Sequence, residues 1–387
     1  MTNEEYAEEI TQKQQQIETL EADILKLDKT LQKQRDINNQ LRRVNRNVER
    51  EINQIDSLVN TMLEQLPKVT FSTAKTEKST DKNKLKKRWG VIQLSDIHAN
   101  TKVLPDEANG NEYNFEVLSK RLKLYINKSI ETFKSMKISG VYVILSGDLV
   151  SSTRRDDEKL AQITSLVNAS YILVDMLKQS VNLLVKNGFN VTITGVVGNE
   201  SRLNQDNFAA SRISSSENFD WVILQMLHAI YSETKNKVQV ILPQNPSLAI
   251  ATIPTEKGFN LLINHGYGLK ATEDGAQGVL RSVSNVVDRI DLAIFGHLHH
   301  TANYENCCWC GSLIGNNAYS TSKGYSSKAS QNLYIIEDDN TFVSMPIQLQ
   351  NGWENIEGFS YDHNIADEAY LKKEYGYGNK GPIVILR

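Results

Sequence analysis

Short apolar runs that stop abruptly at Gly, Asp or His limit what the middle of this chain can fold into. Residues 90–95 lead into Asp96-Ile97-His98, residues 141–146 into Gly147-Asp148, and residues 191–197 into Gly198-Asn199-Glu200. Residues 259–264 lead into His265-Gly266, and residues 291–295 into Gly296-His297-Leu298-His299. Runs of this length bounded by turn residues read as buried strands. Helical periodicity fills the gaps at residues 115–136, 158–186 and about 220–231, with Asn187-Gly188 closing the second as a C-cap. Residues 248–254 with 260–265, and 333–337 with 341–346, read as antiparallel hairpins. The pattern predicts an α/β fold with a partly parallel sheet, in which polar motifs just past the strand ends converge on one rim.

The chain has seven histidines, and His98, His265, His297 and His299 all stand where strand-like runs end. Carboxylate, imidazole and amide oxygen donors suit hard and borderline divalent cations, and two such ions close together can activate water and clamp a phosphate. Each motif alone recurs by chance. As an ordered set they predict a two-metal hydrolytic site and, as a first reading, a phosphoesterase. Of the remaining histidines, His228 lies in an apolar helical segment and reads as a packing residue. His300 directly follows the last motif, where it could approach a substrate, and His363 has no partner in the sequence.

In this order the motifs D-x-H, G-D, G-N-[H/E/D], H and G-H-x-H resemble the signature of the calcineurin-like metallophosphoesterases, over roughly residues 89–350. Within that superfamily the chain looks most like phage and bacterial relatives of DNA repair exonucleases, including Gly311-Ser312 one strand after the last motif. The resemblance implies a four-layer α-β-β-α sandwich. It also implies one metal held by Asp96, His98, Asp148 and His299, and a second by Asp148, Asn199, His265 and His297, with Asp148 bridging. Two divalent ions are implied, Mn²⁺ first, with Fe²⁺ and Zn²⁺ open to the same donors. The implied reaction is phosphodiester hydrolysis by a metal-activated hydroxide.

Many members of the superfamily carry a histidine directly after the Gly-Asn asparagine. This chain has Glu200 there. A carboxylate beside a phosphodiester is repelled unless it is protonated or paired, so it does not simply replace an imidazole. Arg202 is a candidate partner for it, or a candidate grip on phosphate. Asp148, Asn199, Glu200 and Arg202 are therefore the candidate catalytic residues.

The net charge of −3 neither favours nor excludes nucleic acid, since local patches decide. No apolar run approaches the roughly 20 residues that span a bilayer, and the N-terminus is polar, which predicts a cytoplasmic protein with no membrane partner. The three cysteines, Cys307, Cys308 and Cys310, make no disulfide framework and lack zinc-site spacing. Alternation along a strand would put Cys308 and Cys310 on one face and Trp309 on the other.

Residues 1–66 are of another kind, with no Gly and apolar residues at coiled-coil spacing. Ile10, Ile17, Ile24 and Leu31 form one seam position, and Leu20 and Leu27 the other. The pattern restarts as Leu41, Val44, Val48, Ile55, Leu58 and Met62, displaced as in a stammer. Lys13 and Gln34 fall at core positions and weaken the seam. The expectation is a coiled coil that makes a homo-oligomer, a dimer first, or that binds a partner's helix.

Residues 67–88 read as a basic linker, with Lys75, Lys78, Lys82, Lys84, Lys86, Lys87 and Arg88, which could track a nucleic-acid backbone or merely be solvated. Residues 89–350 would form the metallophosphoesterase domain, and residues 351–387 a tail without an assigned role. DNA is one expected substrate. The competing readings are a small-molecule or cyclic-nucleotide phosphodiesterase or a phosphomonoesterase, and a non-catalytic coiled-coil scaffold with a structural metal site.

Overall fold

The computed structural model describes residues 87–152, 158, 160–202, 217–234 and 237–366, with scattered helical positions between 13 and 35. The coiled coil, the oligomer it would make and most of the basic linker lie outside the described residues. The chain divides into two units, Met1–Thr61 and Met62–Arg387, and every strand described below belongs to the second.

Its first sheet is built from β1 (Arg88–Leu94), β2 (Gly140–Leu145), β3 (Val191–Gly195) and β4 (Val238–Val240). These four run parallel, joined by α1 (Phe115–Ser135), α2 (Leu166–Lys186) and α3 (Phe219–Tyr231). The second sheet comprises β5 (Leu248–Ile253), β6 (Phe259–Asn264), β7 (Leu292–Phe295), β8 (Ala302–Asn303) and β9 (Cys307–Trp309), with α4 (Glu273–Ser282) before β7. After a short α5 (Ala318–Ser322) the chain returns to the first sheet as the hairpin β10 (Ser330–Glu337) and β11 (Phe342–Gln348). The strand orders are β11-β10-β1-β2-β3-β4 and β5-β6-β7-β9-β8.

The two sheets pack face to face. Val91 and Ile144 of the first meet Leu261, Ile263 and Ile294 of the second in one buried apolar cluster. Full burial of each such side chain contributes about 1.5–3 kcal/mol. On the outer face of the second sheet, Phe295 and Trp309 pack with Ala276 of α4. Ile126 of α1, Leu177 of α2 and Leu227 of α3 face Leu145 and Ile193 on the outer side of the first sheet. Helices, sheet, sheet and helix thus form four layers in a mixed α/β architecture.

The expected strands and hairpins match these elements to within a few residues, β4, β8, α4 and α5 were not anticipated, and one expected helix differs in its start. Periodicity suggested that the second helix starts at residue 158, whereas α2 starts at Leu166, capped by Ser165, whose side chain accepts the Asn168 N–H. The Asn100 side chain takes the N–H groups of Ile163 and Thr164, and this diverts the backbone from helix just before the cap. Cys308 faces the inter-sheet core while Cys307 and Trp309 face α4, and all three cysteines are buried thiols. The described part of the tail lies on α1 and α2. The ammonium of Lys123 sits over buried Phe359, and Gln179 donates to the Ser360 carbonyl.

Candidate metal centre

The carboxyl ends of β1, β2 and β3 in one sheet and of β6 and β7 in the other open onto a common rim. Each delivers one of the motifs read from the sequence. Backbone hydrogen bonds hold the loops together: Asp96 N–H donates to Gly147 O at 3.0 Å, His98 N–H to Asp148 O at 3.0 Å, and Gly296 N–H to His265 O at 2.9 Å. The sheets are tied across the rim by His297 N–H, which donates to Asp96 Oδ2 at 2.9 Å. Asp96, His98, Asp148, His297 and His299 all sit at positive φ, 49°, 49°, 52°, 71° and 58°. Each such non-glycine residue costs about 1–3 kcal/mol, strain that gathers where function requires a particular side-chain direction.

Two sets of donors converge there. Asp96, His98 and His299 form one, and Asp148, His265 and His297 the other. In the first, His98 Nε2 faces His299 Nε2 at 3.0 Å, and His299 Nε2 lies 3.3 Å from Asp96 Oδ1. In the second, His265 Nε2 lies 2.9 Å from Asp148 Oδ2 and 3.1 Å from Asn199 Oδ1. His98, Asp148 and Glu200 make a further set that links the two. Donor atoms held about 2.0–2.2 Å from one cation stand about 3 Å from each other, so these spacings fit a shared ion in each set. The Nδ1–H of His265 donates to Ser146 O at 2.9 Å, which turns Nε2 toward Asp148 and Asn199 as the nitrogen that would bind a metal once its proton is lost. His98 is oriented likewise, its Nδ1 lying 3.0 Å from Ser151 Oγ and 3.5 Å from Glu200 Oε2.

The electrostatics follow from packing these groups out of water. For His98 and His297, burial first and then neighbouring imidazolium charge push the rings down to about 4, so both are neutral donors at pH 7. Burial also acts against charge on His265, but the Asp148 charge and hydrogen bond outweigh it and hold the ring up at about 10. Burial raises Asp148, and the charge and hydrogen bond of His265 with the Glu200 N–H overcome this and keep it far below the ordinary range. Asp96 is lowered and His299 raised by their mutual contact, in both cases against burial. Metal-free, Asp148 and His265 are therefore a carboxylate–imidazolium pair beside neutral His297, while Asp96 and His299 each favour the other's charged form beside neutral His98.

Two glycines explain how the carboxylates fit. A Cβ at Gly198 would lie 2.1 Å from Asp148 Oδ1 and 2.3 Å from the Asp148 nitrogen. One at Gly296 would lie 1.9 Å from Ser95 Oγ and 2.7 Å from Asp96 Oδ2. The Gly of the Gly-Asn and Gly-His motifs is thus required by close approach.

Sequence reasoning overlooked Asp220, in the first turn of α3. Its buried carboxylate accepts Asp148 N–H at 2.9 Å and Gly198 N–H at 2.8 Å on Oδ2, and Leu149 N–H at 2.9 Å and Ser201 O–H at 2.6 Å on Oδ1. One side chain clamps the Gly-Asp loop to the Gly-Asn loop. Burial and then the Asp148 charge push it up to about 6, despite those donors. The available signal was Asn218-Phe219-Asp220 opening an apolar helix, a pattern that capping alone accounts for.

Glu200 is not paired with Arg202. Its backbone N–H donates to Asp148 Oδ1 at 2.6 Å while its carboxylate faces His98. Arg202 is buried and reaches toward Tyr267, the guanidinium carbon 5.9 Å from that ring, and the ring packs edge-on to His297 at 5.2 Å. His300 turns back onto the Leu298 carbonyl, and His228 onto Val240 O.

No family model and no curated protein matches the chain. Among solved structures it is similar to the crystal structure of a novel phosphatase from Mycoplasma pneumoniae, at 9% identity and a TM-score of 0.27, over 76% of this chain and 98% of that one. So distant a likeness bears on neither the fold nor the chemistry. Among the described residues, no helix is long and apolar enough to cross a membrane.

Proposed function

We propose that this chain is a two-metal-dependent phosphoesterase of the calcineurin-like metallophosphoesterase kind, hydrolysing a phosphodiester. The observation that carries the reading is the convergence of Asp96, His98 and His299 beside Asp148, His265 and His297, with His98, Asp148 and Glu200 joining the sets. In this reading Asp148 would serve both ions, and Asn199, whose amide oxygen lies 3.1 Å from His265 Nε2, would add a donor to the set around His265. Divalent ions bound there would supply Lewis acidity that activates water and offsets the charge on a phosphoryl group. The neutral rings of His98 and His297 add donors without cancelling that acidity, while Ser146 and Ser151 hold His265 and His98 in orientation. Glu200 acts through His98, as a carboxylate behind an imidazole donor, rather than at the leaving group.

DNA is the first substrate to test, on the resemblance of the motifs and the lysines of residues 67–88, and residues 1–66 would pair two such sites in a dimer. Metal-stripped protein is reloaded with Mn²⁺ and given end-labelled single- and double-stranded DNA alongside a chromogenic phosphodiester, with Asp148→Asn in parallel. Cleavage of DNA that disappears in the variant supports the nuclease. Turnover of the small diester alone keeps the chemistry and moves the substrate to a small molecule. Bound metal with no turnover of either rejects the enzyme in favour of a scaffold.

A further inference from the structure

A buried guanidinium whose Nε has no hydrogen-bond partner among the described residues marks the wall of the site beside His297. Arg202 is 6% exposed, forms no ion pair among the described residues, and its Nε has no hydrogen-bond partner. Burying a guanidinium with its Nε–H unmet is costly, and an anion placed beside it could repay the loss. Its position is fixed from below: the backbone of Arg202 bridges to Asn218, whose side chain donates to Gly198 O at 2.8 Å. The cation is therefore held by the same loop that carries Asn199 and Glu200.

Beside it stands an aromatic ring that the fold does not bury. Tyr267 follows His265-Gly266 directly, is 57% exposed, and is held by His297 at its edge and by the guanidinium of Arg202. An exposed ring fixed by two neighbours, next to an unmet phosphate-type donor, has the two elements of nucleotide recognition. Arginine matches the geometry of phosphate oxygens, and a tyrosine face accepts any base by stacking.

We infer that Arg202 and Tyr267 form a nucleotide subsite, in which the guanidinium takes a phosphoryl oxygen and the tyrosine ring stacks the attached nucleobase. The inference rests on the phosphoesterase reading of the same centre and narrows its substrates to esters bearing a planar base. Stacking is indifferent to base identity, so the subsite selects nucleotides over alkyl or sugar esters without selecting sequence. It also requires an unpaired base, which favours single-stranded or frayed ends over an intact duplex.

The test titrates Mn²⁺-loaded full-length protein calorimetrically with thymidine 5′-monophosphate and with deoxyribose 5-phosphate, which differ only in the base. The nucleotide is expected to bind about tenfold more tightly, in the range of base–aromatic stacking. Tyr267→Ala brings the two affinities within about twofold, Tyr267→Phe keeps the gap, and Arg202→Ala weakens both ligands, with Arg202→Lys recovering part. Equal affinities in the wild type, a gap that survives Tyr267→Ala, or full affinity in Arg202→Ala would each overturn the subsite. Hydrolysis of thymidine 5′-(p-nitrophenyl phosphate) by the same preparations separates the two readings. Turnover without a base-dependent gap removes the subsite and leaves the esterase, whereas a gap without turnover keeps the subsite and removes the esterase.

Discussion

Replacing Asp220 tests whether one carboxylate holds the two central loops in place. In Asp220→Asn the amide oxygen can occupy the Oδ2 position and keep the bonds from Asp148 N–H and Gly198 N–H, at 2.9 and 2.8 Å in the native protein. The amide nitrogen then faces Ser201 Oγ, which can still donate to the Val150 carbonyl at 2.7 Å, and only Leu149 N–H is left without its acceptor. In Asp220→Ala the N–H groups of Asp148 and Gly198 lose their acceptor as well. Both variants equally lose the charge, so the difference between them isolates two orphaned backbone donors. A buried donor left unmet costs about 1–3 kcal/mol, so with two of them the alanine variant should be less stable than the asparagine variant by about 2–6 kcal/mol. Urea unfolding of the metal-free protein, followed by the fluorescence of buried Trp89 and Trp309, reads this as a shift in midpoint at constant slope. Variants within about 0.5 kcal/mol of each other, below even a single orphaned donor, would refute the clamp.

Other consequences follow from the same geometry. The folded pKa of His265 is raised from 6.5 to about 10, so its pairing with Asp148 stabilises the metal-free protein fully below 6.5 and is lost as pH rises toward 10. A metal must displace that proton, so Mn²⁺ affinity should tighten by about tenfold per pH unit between pH 7 and 9, and a flat profile by calorimetry would contradict this. Gly296→Ala puts a methyl 1.9 Å from Ser95 Oγ and beside the Asp96 carboxylate, and should cost about 1–3 kcal/mol and weaken metal binding measured by equilibrium dialysis. Retention of both would show that the close approach is relaxed in solution. The thiols are inert by burial, Cys307 being pushed up to about 12 by desolvation and then by Cys308. A thiol reagent such as Ellman's should find none of them before unfolding, and rapid stoichiometric labelling of the folded protein would argue otherwise.

The strands were legible because each is a short apolar run cut off by a residue that cannot continue it, as at Leu94 before Asp96 or Phe295 before His297. The gathering of the polar motifs followed from their common position past those ends. The start of α2 was not legible, since it depends on Asn100 reaching across to Ile163 and Thr164 from a loop some 60 residues earlier. Distance in sequence also hid the environment of Glu200: pairing with near neighbours suggested Arg202, whereas the fold presents His98 from the loop after β1. Asp220 carries no chemical signature of its own, because an acidic residue in a first helical turn has an ordinary explanation and its real partners are backbone groups. What sequence pattern misses here are contacts made by the main chain and contacts across the rim.

The facing imidazoles of His98 and His299 are 201 residues apart in the chain. At about 5–20 residues per second, a ribosome needs roughly 10–40 s between adding the first and the second. For that interval the growing polypeptide displays the Asp96 and Asp148 motifs with neither set of donors complete, and any cation it meets is held by fragments. If the donor sets hold metal as proposed, loading would have to await β7 and the loop that carries His297 and His299, a late event in the life of each molecule.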